Sequence, residues 1–153
     1  MVKLNLPPFA YRVERQAGKL VIFDPIRKKY LVLTPEEWVR QHFIGYLTKY
    51  LGYPSGLIRT EAGLTYNKMA RRSDIVIYDR EVKPFMLIEC KAPEIKVCRD
   101  TFEQAAIYNK VLGAPFLVVT NGLSHFCCSI DHKEASYDFV DKIPEYGSMA
   151  GAK

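Results

Sequence analysis

The spacing of apolar and polar positions divides the chain into elements of alternating kind. Residues 20–24 (Leu-Val-Ile-Phe-Asp) and 29–33 (Lys-Tyr-Leu-Val-Leu) are apolar runs around Pro25-Ile26-Arg27-Lys28, a pattern that predicts a hairpin. Thr34-Pro35-Glu36-Glu37 then predicts a helix start, with Thr34 as N-cap, Pro35 in the first turn and Glu37 closing a capping box. Val39, Phe43, Tyr46, Leu47 and Tyr50 form one apolar stripe that carries this helix to about Leu51, and Gly52 ends it. Strands are expected over about 57–66, 73–79 and 84–91, the last stopped by Pro93. A second helix is expected over about 101–112, ended by Gly113. Residues 115–120 read as a buried strand, Asn121-Gly122 as a type I′ turn into 123–130, and 135–140 as a short edge strand. The tail from Tyr146 is small and polar and is expected to fray.

Helix, three strands, helix and two or three strands is the order of an α/β protein of α+β character. One mixed central sheet, with antiparallel and parallel pairs, is flanked by helices. A chain of 153 residues holds one domain with a real core and not two. Residues 1–153 are therefore expected to form a single domain, with a core over about 20–142, an N-terminal hairpin and a frayed C-terminal tail. No run approaches the roughly 18 apolar residues of a membrane span, and the N-terminus carries no apolar targeting region. A cytoplasmic location without membrane association is the expectation.

Charge narrows the partners. Lys and Arg total 22 against 17 Asp and Glu, a net charge of +5 that favours an anionic partner such as DNA. The four cysteines, at 90, 98, 127 and 128, have no C-x-x-C framework and read as buried free thiols. Neither Glu61 nor any of the three histidines shows a partner pattern.

The chemistry concentrates on the strands at 73–79 and 84–91. With 80–83 as the loop, Asp79 pairs with Pro84 and Asp74 falls directly opposite Glu89. Opposed side chains on one face have Cβ atoms about 5 Å apart. Lys91 shares that face, two residues beyond Glu89, while Cys90 points the other way. Two carboxylates this close repel, and a divalent cation such as Mg²⁺ (or Mn²⁺) resolves the repulsion while polarising a phosphate and activating water. On spacing alone, the same residues also suit a solvent-facing Glu–Lys pair with Asp74 capping a turn.

Ser73-Asp74 followed by Glu89-Cys90-Lys91 resembles the D…ExK core of the PD-(D/E)xK nuclease superfamily. The wider series is more specific: Arg71-Arg72-Ser73-Asp74-Ile75-Val76-Ile77-Tyr78, Leu87-Ile88-Glu89-Cys90-Lys91-Ala92-Pro93, Gln104-Ala105-Ala106-Ile107-Tyr108-Asn109 and Thr120-Asn121-Gly122. Over about residues 20–130 it is similar to the N-terminal nuclease domain of type I restriction enzyme R subunits. The resemblance implies a restriction-endonuclease-like core and an Mg²⁺-dependent endonuclease. It makes Asp74, Glu89 and the Cys90 backbone carbonyl the metal ligands and Lys91 the catalytic lysine. It also implies a glutamate on the first helix. Glu36, three and seven residues before Val39 and Phe43 on the sheet-facing stripe, is preferred over Glu37, which has the capping role. Gln104 and Tyr108 match a Q-x-x-x-Y element that positions DNA or the lysine. Against that stands a plain reading in which Thr101 and Gln104 make a capping box and Tyr108 packs. Arg71 and Arg72 are candidate phosphate contacts.

Two departures bear on function. The motif's proline is Ser73, and the chain holds neither a phosphate-binding G-x-x-x-x-G-K-[ST] loop nor room for a motor. The chain is thus expected to be a stand-alone relative or a fragment. A separate motor or specificity subunit, or a homodimer that cuts both strands, is the expected partner besides DNA. The alternative is a DNA- or protein-binding module that keeps the nuclease fold with weak or no catalysis.

Overall fold

The alternating pattern resolves into two sheets in the computed structural model, which describes residues 1–60 and 75–151, with side chains described as far as Ser148. The smaller sheet is an antiparallel meander of β1 (Val13–Gln16), β2 (Lys19–Asp24) and β3 (Lys29–Val32). The predicted hairpin is β2–β3, and β1 is an addition to it. Ala17 and Gly18, both with positive φ, make the two-residue connection that lets Gln16 face Lys19.

Helix α1 (Pro35–Gly45) starts where the capping residues predict, with the Glu37 N–H donating to Thr34 Oγ1 at 3.0 Å. It widens into a π-helical turn over Tyr46–Tyr50 before Gly52 takes a φ of 80°. The capping box is only half made. The Glu37 carboxylate turns inward to Arg40 and Gln41 instead of back to the cap.

The larger sheet runs β4 (Ile58–Thr60), β5 (Ile75–Tyr78), β6 (Pro84–Cys90), β7 (Phe116–Thr120), β8 (His125–Asp131) and β9 (Ser136–Val140), in that spatial order. All neighbours are antiparallel except β6 and β7, which are parallel. Helix α2 (Arg99–Leu112) makes the crossover between those two, and Gly113 ends it with a φ of 81°. This is the mixed sheet with flanking helices that the element order predicts.

Period-two alternation sorts the core into two layers. Ile75, Ile77, Met86, Ile88 and Cys90 pack with Val39, Phe43 and Leu47 of the first helix. Val76, Leu87, Leu117, Val119 and Cys128 pack with Phe102, Ala105 and Tyr108 of α2. Each large aliphatic side chain removed from water contributes about 1.5–3 kcal/mol, so a strand covered on both faces is a rigid base for a site.

Three expectations need correction. Asp79 does not face Pro84: Tyr78 does, with a bulge between Ile77 and Tyr78. The cause is the Asp79 carboxylate, whose Oδ1 accepts from the N–H groups of Glu81 and Lys83 and winds the chain into a turn. Asn121-Gly122 is not a type I′ turn, because only Gly122 has positive φ. Asn121 Oδ1 instead accepts from Leu123 and Ser124 N–H, giving a four-residue loop in which Thr120 faces His125. Finally, Tyr146–Gly151 forms a short helix, α3, where fraying is expected, and the Tyr146 N–H donates to the Leu51 carbonyl at 2.9 Å.

Candidate active site

Glu89 sits on a strand buried on both faces. It follows Leu87 onto the α2 face, is 2% exposed, and lies next to a parallel partner strand, with Val119 as its opposite number. A carboxylate in such a place is costly unless it is paired. Lys91, two residues on and 25% exposed, supplies the pair: its Nζ is 3.4 Å from Glu89 Oε2. The lysine occupies the boundary between the packed sheet and solvent, and the glutamate lies behind it.

The strand's last hydrogen bond sets the direction of the neighbouring carbonyl. The Lys91 N–H donates to the Thr120 carbonyl of β7 at 2.8 Å. The peptide is trans, so the Cys90 carbonyl in the same plane is turned to the opposite edge, toward β5. The pairs Ile75–Ile88, Val76–Leu87 and Ile77–Met86 run in the register expected from sequence, the bulge being confined to the loop end. The other predicted residues of this half, Asp74, Arg71 and Arg72, lie outside the described residues.

The helices contribute unequally. Glu36 is partly buried in the first turn of α1. Glu37 accepts from Arg40 Nε at 3.1 Å and from Gln41 Nε2 at 2.8 Å, and is committed to that network. Tyr108 is 6% exposed and packs on the sheet face that carries Leu87, whereas Gln104, one turn earlier, is exposed. The capping-box reading of Thr101 with Gln104 does not hold: Cys98 is the N-cap, and the helix begins two residues before Thr101.

Sequence reasoning missed Arg40 and Gln41, which are 2% and 1% exposed on α1. Burial opposes the charge on Arg40, but the hydrogen bonds and charge of Glu37, with Asp24 and Cys90 nearby, outweigh it and hold its pKa above the usual range. The signal was present as the three- and four-residue spacing of Arg40 and Gln41 from Glu37.

Asn121 also has a role beyond its turn. Its Nδ2 donates to the Ile95 carbonyl at 2.8 Å, tying the loop that follows Lys91 to the end of β7. Among the cysteines, Cys90, Cys127 and Cys128 are buried as expected and Cys98 is exposed. Burial pushes the Cys127 thiol up to about 12 and the Cys128 thiol up to about 11, so both stay protonated and are poor metal ligands.

The described donors are oxygens, the Glu89 carboxylate and the Cys90 carbonyl, which suit a hard cation such as Mg²⁺. Among the described residues, no three His, Cys, Asp or Glu side chains gather as a metal cluster, so a site here needs a further carboxylate. Nor is any described helix long and apolar enough to cross a membrane.

The family model for the type I restriction enzyme R protein N terminus matches residues 35–144, from the first residue of α1 to beyond β9. No curated protein matches the chain.

Proposed function

The chain belongs to the type I restriction enzyme R protein N-terminal family, and from that premise we propose that it is a divalent-metal-dependent DNA nuclease domain that hydrolyses phosphodiester bonds. The observation that carries the reading is the Glu89–Lys91 pair, a carboxylate at 2% exposure with an ammonium 3.4 Å away at the rim of the sheet. A structural ion pair has no need of so buried an anion, since replacing such a pair by apolar residues is often neutral or stabilising.

Glu89 and the Cys90 carbonyl would hold Mg²⁺ or Mn²⁺ together with Asp74, which the strand register expected from sequence sets opposite Glu89. When bound, the ion supplies a Lewis acid for the phosphate and lowers the pKa of a coordinated water. Lys91, at the solvent boundary, orients the attacking water or offsets charge developing on the phosphate oxygens. Tyr108 and Gln104 position the lysine or the DNA, and Arg71 and Arg72 contact phosphates. Glu36 is the first-helix carboxylate of the site, since Glu37 is engaged by Arg40 and Gln41.

The partners proposed are DNA and other subunits of a restriction–modification complex. One such centre cuts one strand, so duplex scission takes two copies or two successive nicks. Incubation of purified protein with supercoiled and single-stranded DNA, in Mg²⁺, Mn²⁺ or chelator, tests the reading. Scission that requires the metal supports it. Folded protein that binds DNA but cuts in neither metal would replace it with the reading of a binding module.

A further inference from the structure

At the Glu89 end of the larger sheet, a cleft of about 230 Å³ opens between the start of α2 and the last two strands. Arg99, Phe102 and Glu103 line one side, and Phe126, Tyr137 and Phe139 the other. Phe102, Tyr137 and Phe139 have ring centroids 5.3–5.7 Å apart, and the outer rings are left in solvent: Tyr137 is 47% and Phe139 62% exposed. Phe126, on β8, is 43% exposed. Three large aromatic faces open to water in one place are unusual for a surface with no ligand.

The sheet register links this cleft to the candidate active site. Glu89 faces Val119 across β6–β7, and Val119 faces Phe126 across β7–β8, so the three lie in one cross-strand row on the α2 face. Strands are about 4.8 Å apart, which puts Phe126 about 10 Å from Glu89 along that row. Val119 between them is buried with Phe102 and Ala105. The first turns of α2 therefore separate the cleft from the Glu89–Lys91 pair.

We propose that this cleft stacks a nucleobase of single-stranded DNA, as a binding subsite beside the nuclease centre; the inference rests on the DNA-binding part of the function proposed above. The volume is below the roughly 300 Å³ at which pockets for whole drug-sized ligands begin, and suits one planar ring. Aromatic faces accept any base, and Arg99 at the rim, 86% exposed, offers a cation to the adjoining phosphate. Glu103 engages that guanidinium only loosely, at 3.9 Å with both side chains largely in solvent. Bases within a duplex are stacked on one another and have no face to offer, so the subsite selects unpaired strands.

Fluorescence anisotropy of a labelled single-stranded oligonucleotide and of its duplex, in chelator, tests this without cleavage. Phe126→Leu with Phe139→Leu keeps apolar volume and removes both rings. Single-strand affinity is expected to fall about tenfold or more while duplex affinity stays within about twofold, and Phe126→Trp with Phe139→Trp is expected to retain binding. An unchanged single-strand affinity, or an equal fall on duplex, overturns the proposal. So does self-association of the wild-type chain that the same variant abolishes, which would assign the rings to a second copy. Ring-dependent binding by a protein that never cuts would leave this inference standing and sink the nuclease reading. Cutting with ring-independent binding would do the reverse.

Discussion

Arg40→Ala is expected to lose about 3–5 kcal/mol of folding stability, the cost of removing one partner from a buried ion pair. Arg40 is 2% exposed and donates to the Glu37 carboxylate through Nε and Nη2. It is also the cation near Asp24, which is fully buried. Asp24 Oδ1 accepts from the Ile26 and Arg27 N–H groups, while Oδ2 and Arg40 Nη1 are buried without a hydrogen-bond partner among the described residues. Truncation thus leaves two carboxylates short of their positive charge. For a chain of this size the melting temperature should drop by roughly 10 °C, read by thermal or urea denaturation. The double variant Arg40→Met with Glu37→Gln is expected to recover much of the loss, because the penalty comes chiefly from the stranded charge. A loss below about 1 kcal/mol in Arg40→Ala would mean that Glu37 finds water when the arginine is gone.

Glu89→Gln is expected to weaken Mg²⁺ or Mn²⁺ binding by about 100-fold or more, since even partners of metal ligands are worth 10–100-fold. Its effect on the metal-free fold should be small by comparison. Lys91 is 25% exposed and can turn its ammonium to water when the carboxylate is neutralised. The opposite truncation is less benign: removing Lys91 takes away the ammonium that lies 3.4 Å from a carboxylate at 2% exposure. Calorimetric titration of wild type and Glu89→Gln separates the cases. Equal metal affinity in both would remove Glu89 from the ligand set.

The sequence was informative wherever one local rule acted alone. Thr34 capped the helix as its hydroxyl predicts, and the alternation Leu87-Ile88-Glu89-Cys90-Lys91 put Glu89 and Lys91 on the α2 face because strand geometry permits nothing else. It was misleading where a side chain competed with the backbone. Asp79 wound its own turn and moved Pro84 opposite Tyr78, and Asn121 used its carboxamide to build a loop where its dipeptide suggested a tighter turn. The type I′-like hairpin connection fell at Ala17-Gly18, a pair without the usual Asn or Asp signal. Arg40 and Gln41 were passed over for another reason: their spacing from Glu37 marks a polar pairing, but a stripe drawn from apolar residues does not show that this pairing faces inward. Of the site, the sequence reached the Glu89–Lys91 pair. It gave no sign of the aromatic cleft, because Phe102 on α2 and Phe139 on β9 meet only when the helix packs against the sheet.

Nicking of supercoiled plasmid by wild type and Lys91→Ala, side by side in Mg²⁺ and in chelator, most directly probes whether Glu89 and Lys91 form a metal-dependent nuclease centre. Wild type should nick in Mg²⁺ and stop in chelator, and the folded variant should be slower by about 10²–10³-fold, the usual cost of one transition-state donor. Nicking by Lys91→Ala at the wild-type rate, or by wild type in chelator, would contradict it.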